Sequence, residues 1–130
     1  MKKTTLIIIT TLVLSIITYS LISQNKEPEF NLKTYYLVLL KSGPNRDQSA
    51  EEAQKIQLGH LANIKRLAEM GKIVIAGPLL DDSDVRGIFI FDAESQEEVS
   101  ELCSTDPAIK SGRLIAEVHP WMSEPGNCLP

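Results

Sequence analysis

SAEEAQKIQLGHLANIKRLAEMGKIVIAGP, residues 49–78, carries a helix, its stop and the strand that follows in one run. Ser49-Ala50-Glu51-Glu52 is a capping box: the Ser49 hydroxyl can accept from the Glu52 amide, while the Glu52 carboxylate reaches back to the Ser49 amide. Ala53, Ile56, Ile64, Leu67 and Ala68 then recur at three- and four-residue steps, with Lys55, Lys65, Arg66 and Glu69 off that stripe. Gly71 is placed as the C-terminal cap. The spacing predicts a helix of about 20 residues over 50–70, and KIVIA (72–76) reads as a short strand ended by Gly77-Pro78.

Outward from this core the same grammar repeats. KTYYLVLL (33–40) is rich in aromatic and β-branched residues and predicts a strand, stopped by the turn formers of 41–45. Downstream, residues 79–84 form an acidic connection, VRGIFIFD (85–92) a third strand, and Ser95-Gln96-Glu97-Glu98 a second capping box opening a helix to about residue 104. Thr105-Asp106-Pro107 ends it, because proline disfavours a helical residue before it. Ser111-Gly112 turns the chain into a last strand over 113–118, and Pro120-Trp121 closes the domain. The order βαββαβ predicts an α+β, ferredoxin-like sandwich with both helices on one face of a four-stranded antiparallel sheet. Tyr35, Leu37 and Leu39 alternate with Tyr36, Val38 and Leu40, so both faces are apolar and each needs a cover. A second copy of the sheet is the economical cover for the open face, which predicts a homodimer.

The flanks differ. Lys2-Lys3 precedes twenty uncharged residues, 4–23, long enough either for a secretory signal or for a membrane span. Residues 1–23 are therefore a signal peptide or an uncleaved anchor, 24–32 a polar linker, 33–121 the domain and 122–130 a tail. The expected location is outside the cytoplasmic membrane, periplasmic or anchored facing outward, with the N-terminal segment as the only membrane contact. Without Lys2 and Lys3 the remainder has eleven basic against seventeen acidic residues, a net charge of −6. That charge and the scarcity of aromatics exclude nucleic acid as a partner. Cys103 and Cys128 make no metal motif, and their pairing stays open.

Chemistry has few carriers. His60 shares the apolar stripe of the first helix, four residues from both Ile56 and Ile64. A histidine there is either a core residue or a general base. Asp106, in the rigid junction before Pro107, is the candidate partner: by accepting from one ring nitrogen it leaves the other free to take a proton. Gly77 and Pro78 are candidate substrate contacts, since glycine lets a ligand approach the backbone. Trp121, the sole tryptophan, is a candidate pocket wall. His119 is expected at the surface. The Asp81-Asp82-Ser83-Asp84 run lacks the spacing of a calcium loop.

Gly59-His60-Leu61, Gly71-Lys72-Ile73, Ala76-Gly77-Pro78-Leu79, Arg86-Gly87, Glu94-Ser95, Asp106-Pro107, Gly112 and Pro120-Trp121 occur in an order and spacing that resemble the YCII-related family over residues 34–121. The resemblance implies a dimeric α+β barrel with a His–Asp pair, carried by His60 and Asp106, in its pocket. It also implies lyase or isomerase chemistry without a cofactor for some members. This chain departs from the family in carrying an export-type leader, and in having Ala108-Ile109 where an aromatic residue often follows Asp-Pro. Two functions follow: a cofactor-free enzyme moving a proton on a small molecule, with an acidic or oxygen-rich substrate near Gly77, or a non-catalytic dimer that binds a small ligand at the cell envelope. Accessibility of His60 separates them.

Overall fold

The computed structural model describes residues 29–126. The proposed leader, most of the linker and Cys128 lie outside the described residues. Within them the chain runs β1 (Lys33–Ser42), α1 (Ala50–Glu69), β2 (Ile73–Pro78), β3 (Val85–Phe91), α2 (Gln96–Ser104), α3 (Pro107–Lys110) and β4 (Leu114–Ser123). The four strands form one antiparallel sheet in the order β2-β3-β1-β4. This is the α+β ferredoxin-like arrangement that the βαββαβ order implies.

Period-two patterning fixes which face meets the helices. On β1, Tyr36, Val38 and Leu40 are buried, and in register they meet Phe91, Phe89 and Gly87 of β3. Leu67 of α1 and Val99 and Cys103 of α2 pack into the same core cluster, so both helices lie on that face. Tyr35, Leu37 and Leu39 occupy the alternate positions and point to the other face. Both capping boxes form in part as read: Ser49 and Ser95 accept from the amides of Glu52 and Glu98 at 3.2 and 3.1 Å. Glu98 reaches the Glu94 amide (2.8 Å) rather than that of Ser95. Gly71 has φ 71°, and its amide and that of Lys72 close the α1 C-terminus onto Ala68 and Leu67.

Three boundaries differ from the sequence reading, each for a stated reason. β2 continues through Gly77 and Pro78, and β4 through Pro120 and Trp121 to Ser123, two residues into the segment read as tail. Both are edge strands, where proline's missing N–H costs no ladder bond. Asp106-Pro107 ends α2 but also starts α3: the Asp106 side chain caps it and Pro107 takes its first position, where a missing N–H is harmless.

Candidate active site

His60 sits in the third turn of α1 and Asp106 at the N-cap of α3, and the fold brings them together. Gly59 makes this possible. A Cβ there would lie 2.9 Å from Pro107 Cγ, so only glycine lets α1 come this close to the α3 start. A second clasp holds the same junction. Buried Asn63 accepts through Oδ1 from Arg66 Nη2 (2.8 Å) and from Thr105 Oγ1 (3.1 Å). Asn63 occupies the inward stripe one turn beyond His60, and that position is the signal by which sequence reading could have found it.

The contact itself is short and buried. His60 Nδ1 lies 2.6 Å from Asp106 Oδ2, with His60 8% and Asp106 1% exposed. The other oxygen of Asp106, Oδ1, accepts from the Ala108 amide at 2.8 Å. A carboxylate only accepts, so Nδ1 carries the proton in this bond and Nε2 is the nitrogen left to exchange one. The Phe89 ring lies against the imidazole, centroids 6.1 Å apart and planes 28° apart. Asp106 cannot swing away without uncapping α3, and the imidazole is held between carboxylate and ring.

His60 borders a cavity of about 460 Å³ between α1 and the end of the sheet where β1 and β2 finish and β3 and β4 begin. Such a volume lies within the range of small-molecule sites. Gly77 and Pro78 line it, as does Ala108, at the position where the family resemblance leads one to expect an aromatic side chain. Trp121 does not line it. It lies on the open sheet face opposite Tyr35, the ring centroids 6.2 Å apart. His119 is exposed and contacts Glu117. Cys103, near Asp106 in sequence, points into the core. Burial first, and the Asp106 carboxylate second, push its thiol up to about 12, so it is no nucleophile at neutral pH. Among the described residues no group of three or more His, Cys, Asp or Glu side chains is arranged to hold a metal ion.

The YCII-related domain model matches residues 34–122. The chain belongs to the YCII-related family. Among solved structures it is similar to the 5-chloro-2-hydroxyhydroquinone dehydrochlorinase of Burkholderia phenoliruptrix, solved in complex with 2,5-dihydroxybenzoquinone. The likeness has a TM-score of 0.51 and 30% sequence identity, covering 67% of this chain and 92% of that one. No curated protein matches the chain. In this YCII-related chain the cavity and the paired imidazole lie at one end of the sheet.

Proposed function

We propose that this chain is a lyase- or isomerase-type enzyme acting on a small molecule, with His60 Nε2 as general base and Asp106 as the residue that orients it. One observation carries the reading: both oxygens of a fully buried carboxylate are engaged, so the imidazole has one defined tautomer and one free nitrogen beside a cavity of small-molecule size. A dehydrochlorination, the activity named for the similar structure, loses a proton and a chloride from carbon, and one well-placed base can accept that proton. The backbone at Gly77 and Pro78 would contact the substrate. The alternative is a binding module. It is favoured only by the low exposure of His60, whereas a hydrogen bond at one ring nitrogen and a cavity at its side favour the base.

Chloride release from 5-chloro-2-hydroxyhydroquinone, followed with the full chain and with His60→Gln, tests the reading. Release that depends on His60 supports the enzyme. Binding of 2,5-dihydroxybenzoquinone without turnover of the chlorinated compound would hand the case to the binding module.

The proposal includes two further parts. Residues 1–23 would export or anchor the domain, placing it outside the cytoplasmic membrane. The sheet face carrying Leu37, Leu39, Ile88 and Ile90 would pair with a second copy, which light scattering on wild type and Leu39→Lys would check by a halving of mass.

A further inference from the structure

We propose that the cavity beside His60 is built for a ring-sized organic anion, its planar oxyanion held by Arg46, Arg86 and Arg113. This deepens the reading of His60 as the base of a small-molecule site and rests on it. The three arginines come from separate places: Arg46 from the β1–α1 connection, Arg86 from the start of β3 and Arg113 from the residue before β4. The antiparallel order puts these places at one end of the sheet, and all three residues line the cavity with His60. No aspartate or glutamate lines it.

Their hydrogen bonds go to neutral acceptors. Arg46 Nη1 donates to the Arg113 carbonyl (3.3 Å), Arg86 Nη1 to the Ser83 carbonyl (3.3 Å) and Arg113 Nη1 to Gln48 Oε1 (2.6 Å). A guanidinium has five N–H donors, so each keeps a free fork of the kind that grips a planar oxyanion. Among the described residues none of the three lies within 4.0 Å of a carboxylate, whereas Lys33, Lys41, Lys65 and Lys72 each do. Arg86 lowers the Asp81 carboxyl only as a minor influence behind the hydrogen bonds from Ser83. In a chain of net charge −4, three cations gathered on one cavity whose lining holds no carboxylate favour an anionic occupant.

The rest of the lining sets the body of the ligand. Leu40, Ile56, Ile64, Phe89 and Leu114 give apolar walls suited to a ring. Carboxylates and phenolate- or enolate-type anions on such a ring share the required chemistry. The same positive field would hold the charge that appears when His60 removes a proton from carbon.

The test compares 2,5-dihydroxybenzoate with 2,5-dihydroxybenzamide, alike in ring and differing in charge, titrated by calorimetry into the full chain. The expected result is about tenfold tighter binding of the carboxylate, falling to about threefold or less in Arg86→Gln/Arg113→Gln and partly restored by the corresponding lysine pair. Glu117→Gln, remote from the cavity, should keep the tenfold preference, because it leaves the arginines intact. Equal binding of the two compounds, binding of neither, or a preference that survives loss of both arginines would overturn the proposal. The two readings fail separately: lost charge preference with His60-dependent turnover intact sinks only the anion site, and the converse sinks only the base.

Discussion

Among the described residues are two histidine–carboxylate contacts of similar length and opposite character. His60 Nδ1 meets Asp106 at 2.6 Å in the interior, between α1 and α3, and His119 Nε2 meets Glu117 at 2.8 Å on β4 in solvent. Asp106 is anchored a second time by the Ala108 amide, whereas Glu117 also binds Lys41, another half-buried side chain. The first pair is tied to backbone through Asp106 and opens onto a cavity; the second is held by side chains free to leave. Distance alone therefore says little about a histidine. What its partner is tied to, and what lies beyond the ring, say more.

The largest expected contrast is in turnover. Asp106→Asn replaces a group with two acceptors by one with a single acceptor, so either the α3 cap or the imidazole bond must fail. If the amide NH₂ faces Nδ1, the imidazole is driven to the other tautomer and Nε2 can no longer accept a proton. Activity should fall on the order of 10²- to 10⁴-fold, while Glu117→Gln leaves kcat unchanged. Nitrogen-detected NMR of the two imidazoles would show a tautomer switch at His60 only. An unchanged His60 spectrum in Asp106→Asn would erase the distinction between the pairs.

A smaller effect probes the approach of the helices. Gly59→Ala adds a methyl 2.9 Å from Pro107 Cγ. Overpacking typically costs about 1–3 kcal/mol, and relief of glycine in a helix interior returns up to about 1. A net loss of about 1 kcal/mol should appear in the urea midpoint, with a shifted His60 resonance and an unmoved His119.

Cys103 offers a third measure of the buried pair. With its thiol at about 12 against an ordinary 9.0, iodoacetamide should label it at pH 8 only on unfolding. The sign for stability follows: as pH rises above 9 the unfolded thiol ionises and the folded one does not, so this contribution disfavours the fold increasingly up to about pH 12. Asp106→Asn removes the second cause and should move the thiol back toward its ordinary value.

The smallest effect belongs to the surface pair. The hydrogen bond from Lys41, then that from His119, hold the Glu117 carboxyl below its ordinary 4.5. Its stabilisation is in place above that pH and is lost as pH falls through the lowered value. A carboxyl NMR titration should find the Glu117 midpoint under 4.5, and salt should weaken the pair.

The outline of the fold was legible because its signals are local. Two capping boxes, one C-terminal glycine and period-two strands set the element order, and that order sets the sheet. His60 was legible as a candidate from residue type and stripe position, and Asp106 from its junction before Pro107 and the family resemblance. Gly77 and Pro78 do line the cavity, but as the end of an edge strand rather than as a turn. Trp121 was misplaced because β4 runs on past Pro120, and its register, opposite Tyr35, sends it to the far face. The α3 cap was written in Asp106-Pro107 but was overshadowed by the same residues' role as a stop. Arg46 and Arg113 were not legible as site residues: one reads as a loop residue and the other as a strand start until strand order brings their segments to one end.

Asp106 uses one oxygen to start a helix and the other to orient an imidazole. In a survey scored by how much protein accumulates, its alanine variant would read as a folding defect: about 0.5–2 kcal/mol for the lost cap, and more for a histidine left without its acceptor. His60 variants spare the cap but leave a buried carboxylate oxygen without its donor, so they too would read as folding defects. Both halves of one machine would be filed under architecture, and only an assay of chemistry would show what they share.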